Sequence, residues 1–447
     1  MRGDEQDDVR GPQRVGRRQF LTWAAVAAGT PAFAGTVAGC ATARPVAATG
    51  PQLGAEYVGR RVQVEFWNGF TGGDGPAMRD LVEQFNRSQD RITVRMNVVR
   101  WAQYYQRVVA AVHAGKGPDV GAMHVEQLAT QAGRQSISPL DDIVGELGVQ
   151  ASEFPELAWK GGVYGGRRYG LPLDVHSLGS YRNDALADAA PRTRAEFEST
   201  LQDLRAKGVP TPFWMPNVWP AHLIFLSLLW QFGGEPYQAD GSRATFDSDA
   251  GVRALQWMVE QVRNGNSPRD VAADSQYTAF KNGRGAYTWD GVWQVNDLRD
   301  TASDLRWSID PLPRIGDQDA VWANSHQLVL FRTRRPDDDR LLASKAFLRF
   351  LLENSAGWAR SGLIPARTTA RDDPAFRKLP QAALVPSIPA MRFLPQIPAL
   401  GEVQAQTLEI AVSDAVLGRS SPQAALRAAA SQATTLMRAN QRKFGEA

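Results

Sequence analysis

Val62-Gln63-Val64-Glu65-Phe66-Trp67, then Asn68-Gly69-Phe70-Thr71-Gly72-Gly73-Asp74-Gly75, then Pro76-Ala77-Met78-Arg79-Asp80-Leu81-Val82-Glu83-Gln84-Phe85 is the stretch on which the fold turns. Val62, Val64 and Phe66 alternate with polar neighbours, the period of a strand with one buried face. Pro76 suits the first turn of a helix, and Met78, Leu81, Val82 and Phe85 fall at i, i+3, i+4 and i+7, which places them on one side of it. Ile92, Val94, Met96 and Val98 then restore the strand period. Strand, helix and strand in that order form the unit of a mainly parallel α/β sheet.

Downstream, Tyr105, Val108, Val109 and Val112 predict a second helical stripe ending at Gly115, and Pro118-Asp119-Val120 leads into a third strand. Ala221 to Phe232 is a nearly continuous apolar helix. Val252 to Val262 is another, with Leu255, Met258, Val259 and Val262 inward, so a second core is expected. In the last third, Leu341 to Leu352 and Pro422 to about Arg438 are helical and could pack on either core. At 447 residues and 43% hydrophobic content the chain can bury two cores. No internal repeat interrupts this reading.

Upstream, Gly16-Arg17-Arg18-Gln19-Phe20-Leu21 sets paired arginines before an apolar, small-residue stretch, which reads as an export signal of twin-arginine type. It ends in Val37-Ala38-Gly39-Cys40, similar to the box at which bacterial lipoproteins are acylated and cleaved. A transmembrane anchor and an ordinary buried thiol are the competing readings, weakened by Gly29, Pro31 and Gly35. Cys40 is the single cysteine, so no disulfide is expected. Residues 41–57 read as a flexible tether. With 50 basic against 47 acidic residues, no general field argues for a nucleic-acid partner.

The loop Asn68 to Gly75 lies between the end of the first strand and the first helix, where open α/β sheets bind ligands. A glycine-rich turn there could cradle phosphate, but Asp74 at the helix start would repel it; a mere turn is the plainer reading. Thirteen tryptophans are a heavy load. Trp214, Trp219, Trp289 and Trp293 stand in polar or turn contexts, where an aromatic face could stack on the C–H face of a sugar ring. Trp257 and Trp230 belong to the core. The chain has no H-E-x-x-H, G-x-S-x-G or P-loop. Its five histidines show no metal-ligand spacing, so neither metal nor other cofactor is expected. A glycosidase leaves no such trace, because its two carboxylates need no fixed spacing.

In order along the chain stand Val64-Glu65-Phe66-Trp67-Asn68-Gly69, Leu81-Val82-Glu83-Gln84-Phe85-Asn86, Gly117-Pro118-Asp119-Val120, Tyr169-Gly170-Leu171-Pro172-Leu173-Asp174, Phe280-Lys281-Asn282-Gly283-Arg284-Gly285-Ala286, Asp290-Gly291-Val292-Trp293 and Gly362-Leu363-Ile364-Pro365-Ala366-Arg367. Through them nearly the whole mature chain resembles the extracellular solute-binding proteins of ABC importers, in the branch that holds maltose-binding protein. The resemblance implies a two-lobed α/β periplasmic-binding-protein fold with a ligand cleft between lobes joined by hinge crossings. Residues 1–40 would be the signal peptide, 58–173 with 325–372 the first lobe, and 174–324 with 373–447 the second. It implies a carbohydrate receptor that catalyses nothing, a monomer held to the outer face of the membrane by lipid on Cys40, serving an ABC permease.

The contact positions implied by the resemblance are Asn68, Phe70 and Thr71 in the first loop and His124 and Glu126 after the third strand. Asp174 and His176 stand at the first crossing, Asn217, Trp219, Asp290 and Trp293 in the second lobe, and Asn324, Ser325 and His326 at the return, with Arg367 beyond. Two departures stand out: Asp290 replaces the family's asparagine, and Glu402 lies where some members carry a stacking tryptophan. Relatives of the same fold also take glycerophosphodiesters or phosphorylated polyols, a reading that calls for an arginine in the cleft, from Arg284, Arg367 or Arg392. A secreted carbohydrate-active enzyme is the remaining alternative.

Overall fold

The computed structural model describes residues 57–445. The export signal, Cys40 and all of the tether but Tyr57 lie outside the described residues. Tyr57 is anchored, its hydroxyl donating to the carbonyl of Arg60 at 2.8 Å and to Asp339 at 3.0 Å.

The opening stretch folds as its periods dictate. β1 (Val62–Asn68) buries Val62, Val64 and Phe66, and α1 (Gly75–Ser88) lays Met78, Leu81, Val82 and Phe85 on the sheet. β2 (Ile92–Val98) pairs parallel with β1, Val62 opposite Ile92. α2 (Trp101–His113) buries Tyr104, Val108 and Val112, one position round from the expected stripe, which turns Tyr105 away from this core. β3 (Val120–His124) pairs parallel with the other side of β1.

The chain then leaves this sheet and returns to it. Leu171–Pro172 still pairs with the first sheet, whereas β4 (Asp174–Asn183) forms the spine of a second one. The second sheet is flanked by α3 (Ala221–Gln231) and α4 (Asp249–Arg263). Every residue of α3 is buried, the expected fate of a helix that is apolar all round. β5 (Tyr287–Gly291) runs antiparallel to β4, and α5 (Val295–Thr301) follows it. β6 (Val321–Asn324) pairs antiparallel with β4, Asn324 opposite His176, and Met391–Arg392 pairs parallel on its other side. After Ser325, β7 (His326–Phe331) lies antiparallel to β3 in the first sheet, with His326 opposite His124.

α6 (Asp338–Glu353) covers β1, with Phe347 edge-on to Phe66 at 5.3 Å and tilted against Phe85 at 5.1 Å. Ile364–Pro365 joins the start of β4 as a third crossing. Of the last helices, α7 (Leu400–Gln406) packs on the two that follow, α8 (Leu408–Val416) on α3 and α4, and α9 (Pro422–Gly445) on α4. They also reach the first sheet's side, where Phe444 covers Gly133 and Thr130 Oγ1 accepts the amide of Ala399 at 2.8 Å. Among the described residues no helix is long and apolar enough to cross a membrane.

Candidate functional site

The crossings place three strand ends side by side: the end of β3, the start of β4 and the start of β7. Asp174 sits between them, fully buried, and four donors converge on its carboxylate. Oδ1 accepts His176 Nδ1 at 2.9 Å and the amide of His326 at 3.0 Å. Oδ2 accepts His326 Nδ1 at 2.8 Å and Trp358 Nε1 at 2.9 Å. Burial by itself would raise the pKa of Asp174, but the charge of His326 and the imidazole hydrogen bonds outweigh it and hold the carboxylate well below its usual range.

His124 joins this pair of histidines. Its ring centre is 4.7 Å from that of His326 and 5.7 Å from that of His176. Its Nδ1 stands 2.6 Å from the Tyr105 hydroxyl, which also accepts the His124 amide at 3.2 Å. Burial, then the neighbouring imidazoles of His326 and His176, push the His124 pKa well down. Burial likewise lowers His176, against the Asp174 hydrogen bond.

Aromatic rings wall this polar knot. Trp101 lies nearly parallel to His326 at 5.3 Å and to Tyr105 at 5.8 Å. It can do so because residue 69 is glycine: a Cβ there would stand 2.1 Å from the Trp101 ring. The second sheet repeats the device, since a Cβ at Gly291 would stand 2.1 Å from the ring of Trp293. Trp293 in turn stacks on Trp219 at 6.5 Å, and Trp219 is 47% exposed, unusual for so large an apolar group.

Between these walls lies a cavity of about 390 Å³. Trp101, Tyr105, His124 and Glu126 border it from the first sheet's side, Trp219, His222 and Trp322 from the second's, and Glu402 and Glu409 from the last helices. That volume falls within the roughly 300–1,000 Å³ usual for small-molecule sites. Other pronounced cavities of about 310 to 760 Å³ among the described residues are bordered by none of the residues expected to contact a ligand. Burial raises Glu126 to about 7, with Glu409 and Glu402 adding to the rise and a hydrogen bond from Asn324 opposing it. Burial carries His222 down to about 3.

Of the residues expected at the site, His124, Glu126 and Trp219 border the cavity. Asp174, His176 and His326 form the knot beneath it. Trp293 braces Trp219 and faces the His176 ring at 6.3 Å. Asn324 works on the main chain, its Oδ1 accepting the amides of Ser325 at 2.8 Å and Val125 at 3.2 Å. Ser325 accepts from Gln327 Nε2 at 2.9 Å.

Others stand elsewhere for physical reasons. Asn68 is buried and its Oδ1 accepts the Phe70 amide at 3.1 Å, which shapes the loop. Phe70 is fully buried behind His326, with ring centres 4.9 Å apart. Thr71 is exposed and borders no described cavity. Asn217 donates to the Arg269 carbonyl. Asp290 accepts Gln276 Nε2 at 3.0 Å and the Gly291 amide at 2.6 Å, and burial raises it to about 6. Arg367 is held by Glu153 and the Leu352 carbonyl. Trp289 is a core residue, stacked on Trp257 at 5.4 Å. Trp101, Tyr105, Trp322 and Glu409 were not singled out from the sequence as site residues. Trp101 alone carried a signal, as a tryptophan at a helix start.

The five histidines, without metal spacing in the sequence, yield a trio whose ligand atoms lie within 4.8 Å of one another.

The sequence pattern of the bacterial extracellular solute-binding proteins matches residues 80–383. The diacetylchitobiose-binding protein DasA of Streptomyces coelicolor is 25% identical over 333 residues, 71% of this chain and 76% of DasA. The GacH receptor of Streptomyces glaucescens, solved unliganded and with acarbose, superposes with a TM-score of 0.73 at 19% identity, covering 87% of this chain and 99% of GacH. The sugar-binding protein MalE of Xanthomonas citri gives 0.74 at 19% identity, over 86% of this chain and all of MalE. The two-lobed α/β fold is therefore theirs.

Proposed function

Because this chain belongs to the bacterial extracellular solute-binding proteins, we propose that it is the substrate-binding component of an ABC importer, capturing a carbohydrate between its lobes and delivering it to the permease. The observation that carries this reading is the cavity's make-up: three tryptophans and a tyrosine facing carboxylates and histidines across the line between the two sheets. Aromatic faces pack on the C–H faces of a sugar ring while Glu126, His124 and Glu402 answer its hydroxyls. An oligosaccharide or an amino sugar suits such a lining, and DasA is named for binding diacetylchitobiose.

The lobes would hinge where the chain changes sheets, at Leu173 to Asp174 and Asn324 to Ser325. A ligand touching both lobes favours the closed form by its differential affinity. Asn296, on α5, donates to the carbonyls of Gly73 at 2.7 Å and Arg360 at 2.8 Å and would serve as a latch between the lobes. Lipid on Cys40 would hold the receptor beside its permease on the outer face of the membrane.

A glycerophosphodiester calls for a cationic side chain, and among the described residues no lysine or arginine borders the cavity. The chain performs no catalysis in this reading, in keeping with relatives that are binding proteins. The test is a thermal-shift and calorimetric screen against mono-, di- and trisaccharides, amino sugars and glycerophosphodiesters, since a ligand of the native state raises its melting temperature. A shift with one sugar class is expected. Shifts with phosphodiesters alone would overturn the carbohydrate reading, and turnover of a bound oligosaccharide would overturn the non-catalytic one.

A further inference from the structure

We infer that His124, His176 and His326 form a binding site for a divalent transition cation of the zinc type at the floor of the cleft. One nitrogen from each ring lies within 4.8 Å of the others, although the three residues come from three different strands. Each ring is held from behind. Asp174 takes Nδ1 of both His176 and His326, and the Tyr105 hydroxyl meets Nδ1 of His124. That leaves Nε2 of each ring to the front, and a carboxylate behind an imidazole is the arrangement that orients metal-bound histidines.

The second observation is an orphan. His326 is only 4% exposed, yet its Nε2 has no hydrogen-bond partner among the described residues. Buried polar atoms are nearly always satisfied, so an unpartnered one asks for a ligand. The Tyr105 hydroxyl can serve either tautomer of the His124 ring.

Zinc–nitrogen bonds of about 2.0–2.1 Å need ligand nitrogens roughly 3.3 Å apart, so the three rings would draw together around the cation. A ligand set of imidazoles, the one the described residues offer here, selects zinc, copper, nickel or cobalt over magnesium or calcium. His124 borders the cavity, so the open fourth position would face it, where a hydroxyl of the captured ligand or a water completes the coordination.

Untagged protein, stripped by a chelator, is titrated with Co²⁺ and followed by visible absorption. One equivalent is expected to bind with the intense d–d bands of a low-coordinate site and to be displaced by Zn²⁺. His326→Gln and Tyr105→Phe should each weaken cobalt binding, Tyr105→Phe by roughly tenfold to a hundredfold as the loss of an outer-shell partner. A cooperatively melting wild type that takes up neither cobalt nor zinc would overturn the inference, as would binding unchanged in both variants. Sugar binding to the stripped protein is measured in parallel; tight sugar binding with no metal uptake sinks the cation and leaves the carbohydrate reading standing.

Discussion

Replacing Asp174 with asparagine removes one carboxylate oxygen from a point where four donors meet. If the amide nitrogen takes the place of Oδ1, the bonds to His176 and the His326 amide are lost. If it replaces Oδ2, those to His326 Nδ1 and Trp358 go instead. Either orientation forfeits two hydrogen bonds to a buried charge at about 1.5–3 kcal/mol each, and a tautomer change in one histidine recovers part of this, so a loss of about 3–5 kcal/mol is expected. Unfolding entropy of about 2.1 cal/mol/K per residue over roughly 390 residues converts that to a melting temperature lower by about 4–6 °C. The pH dependence gives the sign. The folded pKa of Asp174 is depressed, so its contribution is present above the unfolded value of about 3.9 and is lost as pH falls through the folded one. Calorimetric melts of both proteins from neutral to acid pH should therefore converge only in strong acid. A variant melting within about 1 °C of wild type at pH 7, or a difference constant down to strong acid, would refute the account of Asp174 as the charged keystone of the hinge.

Trp101→Ala should weaken sugar binding by about 1.5 kcal/mol, roughly tenfold in Kd by calorimetry, because it deletes the ring that borders the cavity and stacks on His326. Asn296→Ala removes both latch bonds, at about 1 kcal/mol each, so binding should weaken about tenfold to thirtyfold while small-angle scattering of the free protein shifts toward the open form; unchanged scattering would show that the latch does not set closure. Glu126, raised by burial to about 7, keeps its proton in the folded protein where the unfolded chain has lost it, so its contribution is full below about 4.3 and is lost as pH rises through about 7. Glu126→Gln should thus gain melting temperature relative to wild type at pH 8, with the gain vanishing near pH 4, and equal gains at both pH values would contradict the shift.

Local period was enough for the framework. Val62, Val64 and Phe66, then Met78, Leu81, Val82 and Phe85, face the core they were expected to face, because alternation and helical spacing are properties of neighbours in sequence. Ala221 to Gln231 could only be an interior helix, since no face of it is polar. The order of such units, with the motifs from Val64 to Arg367, sufficed to identify the family.

What only the tertiary structure decided is which side chains meet. The crossing at Ser325 and the passage at Leu173 bring His176 and His326 against one carboxylate and set His124 beside them, a proximity between distant strands that no spacing could reveal. Tyr105 was expected on the helix stripe, but a rotation of one residue gives Tyr104 to the core and Tyr105 to the cavity. Trp289 and Trp293 sit four residues apart in similar contexts, yet the first points into the core of the second sheet and the second lies flat over Gly291 toward the cleft. A residue's chemistry is written in the sequence. Its partners are fixed by where strands cross, and for Arg367 the partner is Glu153 rather than anything in the cleft.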